Sequence, residues 1–550
     1  MLNILSPAHG PYLVLAGLLL FTLFSVAQWV VSTLRPRYFP PGPPVIPGLG
    51  NLLQIPTQKP YLKFHTWAKQ YGDLMSLKTG AGNLVVINNP KIVHELFVKR
   101  GAIYSNRPVS HVNTKHIWYG PEDKAAAILQ YDEYYRRWRK SFQYILSAAG
   151  IRRILPLLEA EASKLCYKFL DDEAPYKESV RNWVLGLPLI ATSGRRLEDM
   201  PPGYANDFFQ TQGDFLKLLV PGAAPPVDVF PILTYVPEFL AKWKSEARRL
   251  RGVFSEDAWR FVTDGRKQYA QIQDDPNSVR FEGLIAKILR EQSSPETTKG
   301  DRHFTDLELG YLAQAFVGAT VDTTTAAFES LMCCFAAFPH VLKKAQEEVD
   351  RLAGDKPPMG ELVGDLVYLK ACISEVLRWR PVAASALPHT LATDDHFGDY
   401  VFPKGTTFIA NVWTIHRNEN EYERPEEFDP ERFVKNPYGF RTDNSPASQE
   451  KLDSSGRRAL YTFGSGRRQC PGEQFAFTSI TLAASKLIWA FDVLPPLEGV
   501  DLSIETGYGD GLLSRPKDPK VVFKLRSETR RGALAQDSAR LEAIATEMLG

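Results

Sequence analysis

Residues 12–31 read YLVLAGLLLFTLFSVAQWVV, and no Asp, Glu, Lys or Arg occurs anywhere in 1–34. As a helix rising about 1.5 Å per residue, this run is roughly 30 Å long, the thickness of a bilayer's hydrocarbon core. A secretory signal would want a basic start, a shorter apolar stretch and a small-residue cleavage site, none of which is obvious, and Trp29 sits where an interfacial aromatic would. The first cations, Arg35 and Arg37, follow the run, so the positive-inside rule puts everything downstream in the cytosol. Segment 1–34 is therefore expected to be a membrane anchor. Segment 35–51, basic and then proline-rich (PPGPPVIPGLGN at 40–51), is expected to be a stiff hinge, because proline fixes φ and removes donors.

The rest of the 550 residues has the composition of a folded globular chain, 44% hydrophobic and 23% charged. A net charge of +2 gives no global attraction for a polyanion, which sets nucleic acid aside as a partner. The five cysteines (Cys166, Cys333, Cys334, Cys372 and Cys470) have neither the even count of a disulfide framework nor C-x-x-C spacing. No internal repeat is visible. Runs at 84–87 and 400–402 alternate as strands do, and most other periodic segments have helical spacing, so the fold class is mainly α with small β-sheets. The longest helix is expected over 305–337, opened by a capping box of Thr305 and Glu308 and closed before Pro339; others are expected over 341–354 and 366–379. The stretch 438–458 is polar and patternless, as a surface loop would be. The tail at 529–550 has weak helical periodicity and no assignable role.

Four cysteines lie in apolar helical surroundings and read as small buried hydrophobes. Cys470 differs. It ends a glycine-punctuated loop in FGSGRRQCPGEQFAF (463–477), just before a long apolar helix starting near Pro471, where helix-start amides and the neighbouring Arg467 and Arg468 would favour a thiolate. A nucleophile, a redox sensor and a metal ligand all remain open for such a cysteine, although no local signature supplies the base a nucleophile needs.

Phe463, Gly466, Arg468, Cys470 and Gly472 fill every fixed position of F-x-x-G-x-R-x-C-x-G, and with them the sequence resembles the cytochrome P450 superfamily of haem-thiolate monooxygenases. Glu375 and Arg378 give E-x-x-R on a helix, and Arg432 in PEEFDPERF (425–433) completes a Glu-Arg-Arg cluster in the right order. The resemblance runs from about residue 40 to about 525. It implies a cytochrome P450 fold, with 52–525 as the catalytic domain and 526–550 as a tail, and it implies a haem b cofactor whose iron is held by the Cys470 thiolate. Such a ligand pushes electron density onto iron and favours O–O cleavage. Phe463 would shield the sulfur, and Gly466 and Gly472 would let the backbone turn and approach the macrocycle. Arg468, Arg139 and His389 match positions that hold the propionates. The usual W-x-x-x-R begins here with Tyr135, so its contact would come from a phenol or be absent.

In GATVDTTTAAF (318–328), Asp322, Thr323 and Thr324 match the family's acid and alcohol positions for delivering protons to oxygen, while Thr320 replaces the usual glycine. A local helix distortion is still expected there. Gly48-Leu-Gly50 and Gly464-Ser-Gly466 both lack the third glycine of a dinucleotide fingerprint, so NADPH would act indirectly, through NADPH-cytochrome P450 reductase on the same membrane. Arg136, Arg137, Arg139, Lys140, Arg457, Arg458 and Arg467 would form its docking patch. The pocket segments, near 111–119, 208–227, 315–319, 383–387 and 508–513, are largely apolar and suit a lipophilic small molecule. The style of the sequence is similar to fungal microsomal members of secondary metabolism, which implies a single-pass protein of the endoplasmic reticulum membrane using O2. A haem-thiolate isomerase or dehydratase, and a non-catalytic haem carrier or sensor, are the alternatives.

Overall fold

The computed structural model describes residues 10–550 apart from 119, 121, 123, 124, 126, 127, 172, 220–226, 277–280, 295–302 and 442–455. Much of the expected polar loop at 438–458, and parts of the pocket segments 111–119 and 208–227, lie outside the described residues.

The apolar amino-terminal run is a single helix, Gly10–Ser32. Its stretch Val14–Ser32 has a mean hydropathy of 2.2 and none of it is buried, as a membrane anchor requires. The segment that follows is tied back to the helix: Trp29 Nε1 donates to the Gly48 carbonyl at 2.9 Å and the Gly48 amide donates to Thr33 Oγ1 at 2.8 Å.

The body is mainly helical. Thr305 caps the central helix Asp306–Ala337, with the Glu308 amide donating to its hydroxyl (3.3 Å) and the Glu308 carboxylate accepting from its amide (3.0 Å). Its side chains are buried almost all round, from Leu309 to Ala336, which is why it carries so little polar periodicity. It runs unbroken as an α-helix, so the distortion expected around Thr320 does not interrupt it. At Phe338 the chain turns by 108° into Pro339–Ala353, and Val367–Trp379 follows.

Strands β1 (Leu74–Thr79), β2 (Gly82–Ile87), β3 (His389–Thr390), β4 (Asp395–Phe397), β5 (Tyr400–Phe402) and β6 (Thr407–Ala410) precede the cysteine loop, and β7 (Phe491–Leu494) and β8 (Val522–Leu525) follow it. They form a four-stranded sheet in the order β1-β2-β6-β3 and two hairpin pairs, β4-β5 and β7-β8. Successive residues of β2 serve opposite faces: Val85 and Ile87 pack with Phe39 and Phe408, Leu84 and Val86 with Phe64 and Trp67.

The carboxy-terminal segment forms the helix Glu528–Leu549, which buries Leu534, Leu541 and Ala545 against the body. Its Asp537 accepts from Lys486 Nζ at 2.7 Å and from Ser163 Oγ at 2.9 Å, all three buried. A lysine with no exposed surface needs such a partner, so the docking of the tail satisfies a charge in the helix that follows the cysteine loop.

Candidate active site

Cys470 lies between the short turn Gly466–Arg468 and the helix Glu473–Ala490. Its amide donates to the Phe463 carbonyl at 2.8 Å, closing the loop on itself. Gly466 has φ +66°, and a Cβ there would fall 2.0 Å from the Phe97 carbonyl oxygen, so only glycine fits. Gly472 has φ −90° and meets only Cys470 Sγ, at 3.9 Å, so the protein itself does not demand glycine there. Phe463 is half-buried, its ring 5.9 Å from that of Phe477.

The Cys470 side chain is exposed by surface area, yet desolvation by surrounding protein raises its thiol above the ordinary range, opposed by the Gly472 amide, Arg139 and Arg458. Both observations hold together because the sulfur faces an interior hollow rather than bulk solvent. Arg467 and Arg468, expected to favour the thiolate, give their hydrogen bonds elsewhere. Arg467 donates to the Tyr131 hydroxyl at 2.9 Å, and Arg468 turns away to the carbonyls of Ser105 (2.7 Å) and Leu129.

Arg468 joins His389 and Arg107 in a buried group of bases. His389 Nδ1 donates to the Tyr104 carbonyl at 2.6 Å and its ring stacks on Phe97 at 4.0 Å, leaving Nε2 for a further partner. Arg107 donates to the carbonyls of Leu387 (2.9 Å) and Pro388 (2.6 Å), while its Nε is buried without a partner. Burial and then Arg468 push Arg107 down to about 9, and burial and then Arg107 hold His389 well below its ordinary value. Among the described residues only Asp132, near Arg468, brings a carboxylate into this group. Three buried bases with an orphaned guanidinium nitrogen are what a pair of propionates would satisfy, so the residues present fit a haem. Arg139 donates to the Tyr135 hydroxyl (3.3 Å), which donates to the Arg467 carbonyl (3.3 Å), and the Tyr135 ring lies 3.7 Å under the Arg468 guanidinium. Tyr135 thus supports the arginines and spends its own hydroxyl on Arg467.

The expected Glu-Arg-Arg cluster assembles as one buried unit. Arg378 donates to Glu375 through Nε (2.7 Å) and Nη2 (2.8 Å), and Arg432 donates to the same carboxylate at 3.1 Å. Arg378 also reaches the carbonyls of His416 (3.0 Å), Pro425 (2.8 Å) and Glu427 (3.1 Å). His416, which no sequence signal singled out, carries this order to the cysteine loop: Nδ1 meets the Arg378 carbonyl at 3.3 Å and Nε2 accepts from the Tyr461 amide at 3.0 Å, two residues before Phe463. Burial and then Arg378 push His416 down to about 3, so it is neutral in the fold, whereas an unfolded histidine takes up a proton below about 6.5. The stability it contributes is complete above that pH and falls as the pH drops toward 3, by up to about tenfold in the unfolding equilibrium per unit. Denaturant titrations between pH 7 and pH 5 are expected to show this slope in the wild type and a shallower one in His416→Gln.

On the central helix, Ala315, Ala319 and Thr323 form an i, i+4, i+8 stripe of accessible residues, flanked by the partly buried Gln314 and Gly318, with Ala319 the most open. Phe316 beside this stripe packs its ring 5.5 Å from that of Phe475, in the helix after Cys470, so stripe and thiol belong to one region. Thr323 Oγ1 donates to the Ala319 carbonyl at 2.8 Å. Asp322 is buried with Oδ2 unpartnered; burial raises its carboxyl, while Arg515 lowers it. Thr324 is buried, off the stripe. Sequence reasoning missed Arg107, His416 and Arg515, each brought to this region by a distant segment with no local motif.

Comparison with known proteins agrees with this geometry. The family model for cytochrome P450 matches residues 40–523. The chain is 37% identical to the cytochrome P450 monooxygenase grgG of Penicillium sp, over 100% of this chain and 98% of that protein. It is 32% identical to a cytochrome P450 monooxygenase of Arthrobotrys oligospora (99% of each) and 29% identical to the cytochrome P450 monooxygenase patI of Penicillium expansum (98% of each). A thiol facing an interior hollow, a buried cationic cluster beside it and a full-length family match leave one conclusion: the chain belongs to the cytochrome P450 family and is a monooxygenase that uses haem with a thiolate ligand.

Proposed function

We propose that this protein is anchored by its amino-terminal helix in the endoplasmic reticulum membrane, with its catalytic domain in the cytosol, and oxygenates a lipophilic metabolite of a fungal secondary pathway. The observation that carries this reading is the accessible Cys470 sulfur coupled, through Phe475 and Phe316, to the accessible stripe of the central helix. When haem is bound, the chemistry it would supply is the activation of O2. The Cys470 thiolate would hold its iron, and Arg107, Arg468, His389 and Arg139 would hold its propionates. Ala315 and Ala319 present little more than methyl groups to the hollow and leave room for substrate. Thr323 would hand a proton from its hydroxyl to oxygen, and Asp322 would restore it.

Exposed Ile232, Tyr235, Phe239 and Leu240 lie close to the anchor in the fold, since Phe230 packs its ring 5.6 Å from Trp29, and such a patch suits contact with lipid. For the NADPH-cytochrome P450 reductase that would supply electrons, exposed Arg136, Lys140 and Arg467 make the docking patch; Arg136 and Arg467 both lie over the Tyr131 ring, at 5.9 Å and 5.0 Å. Arg457 and Arg458 contribute less charge, being paired with Glu421 and Glu473.

Co-expression with a reductase in a host lacking related enzymes, followed by untargeted metabolite comparison, tests the proposal. An NADPH-dependent product is expected, heavier than its precursor by one oxygen or lighter by two hydrogens. Product formed equally well without NADPH would contradict it. In the same system Thr323→Ala is expected to keep its haem but divert most reducing equivalents to peroxide; equal coupling in variant and wild type would remove Thr323 from proton delivery.

A further inference from the structure

Glu329 stands on the central helix seven residues beyond Asp322, two turns away on the same face, and it has no exposed surface. Neither of its carboxylate oxygens has a hydrogen-bond partner among the described residues. One guanidinium faces both acids: Arg515 places Nη1 3.9 Å from Asp322 Oδ1 and Nη2 3.6 Å from Glu329 Oε2, close enough to attract both but too far to bond either well. The helix Tyr176–Ser193 adds Arg181, whose Nε is buried without a partner, together with Lys177 and Tyr176, and Cys333 faces Glu329 from its own helix. Gln212, donating to the Gly318 carbonyl at 3.2 Å, lies beside Asp322. As a structural fastening this is poor chemistry, because a buried carboxylate without hydrogen bonds costs more than an apolar side chain of the same size.

We propose that Asp322, Arg515 and Glu329 form one proton-holding unit on the central helix, in which the shared guanidinium lets one carboxyl stay protonated while the other is ionised. The inference rests on the proposed role of Asp322 in proton delivery. At rest Glu329 carries the unit's one proton and Asp322 is ionised. On demand Glu329 passes that proton on through intervening water, so that the Glu329 carboxyl becomes a carboxylate as the Asp322 carboxylate becomes a carboxyl, and Asp322 gives it to Thr323, whose hydroxyl has handed over its own. Arg515 then shifts toward the newly ionised Glu329, and solvent reprotonates Glu329 past the partly exposed Arg515. Burial raises Glu329 to about 7 against the opposing pull of Arg515, Arg181 and Lys177, so the reserve proton is held where such an exchange is reversible. Arg515 is a positioning residue for this exchange.

Infrared titration of the ferric holoprotein in the protonated-carboxyl region tests the unit without turnover. A band that titrates near neutral pH is expected, absent in Glu329→Gln. Its midpoint is expected to fall by about one pH unit in Asp322→Asn, which removes a like charge roughly 10 Å away, and to rise in Arg515→Gln. If Glu329→Gln does not yield folded protein, the two midpoint movements alone decide. A band that survives Glu329→Gln, or a midpoint that neither Asp322→Asn nor Arg515→Gln moves, overturns the inference. Each variant is first reduced and exposed to carbon monoxide: an absent sulfur-ligated spectrum in the wild type would defeat the underlying functional reading, whereas an intact spectrum with an unmoved midpoint defeats only the shared unit.

Discussion

Glu375→Ala is expected to abolish accumulation of folded, haem-containing protein. The substitution strips the carboxylate from Arg378, which has no exposed surface, and from the nearly buried Arg432, leaving two guanidinium groups with only carbonyl partners. Breaking a buried ion pair from one side costs about 3–5 kcal/mol. Native folds are stable by only about 5–15 kcal/mol. The damage also spreads, because the Asp429 amide donates to Glu375 at 2.9 Å and Arg378 holds the carbonyls of His416 and Pro425, so the segment leading into the cysteine loop loses its fixed points. Soluble yield and thermal unfolding measure the effect, and Glu375→Gln, which keeps the hydrogen-bonding shape, should fall between. A Glu375→Ala protein with the wild-type unfolding midpoint would refute the scaffold role.

Cys470→Ala is expected to eliminate product formation while leaving the polypeptide folded. The loop does not depend on the sulfur for its shape, since the Cys470 amide, not its side chain, bonds Phe463 and Gly466 makes the turn. The side chain already faces the hollow, so shortening it opens no new void in packed core. The apoprotein's unfolding midpoint should therefore change little, whereas haem content and turnover collapse. A variant that still oxygenates substrate would show that another group holds the iron.

What could be read from sequence was local and periodic. The Thr305 cap, the stop before Pro339 and the alternation in β2 each follow from short-range rules, and the structure places them within a residue or two. Cys470 was legible because glycines, arginine and cysteine sit within ten residues, on one loop. Arg107 and His416 were not, because each gains meaning only through partners from distant segments: Arg107 beside Leu387 and Arg468, His416 between Arg378 and Tyr461. The carboxy-terminal helix was equally quiet. It buries a narrow stripe of Leu534, Leu541 and Ala545 beside the Asp537–Lys486 pair, too little apolar surface to print a strong period. Proximity in sequence also left contacts unread: Arg467 and Arg468 precede Cys470 but give their hydrogen bonds to Tyr131, Ser105 and Leu129, and Arg139 and Arg458 reach the thiol's surroundings from other segments.

The proposed chemistry depends on a bond between the sulfur of Cys470 and haem iron, and the spectrum of the reduced protein under carbon monoxide reads that bond directly. Purified haem-replete protein should show the long-wavelength Soret band of a sulfur-ligated carbonyl complex, and Cys470→His should lose it. Folded, haem-replete wild-type protein lacking that band would contradict the account.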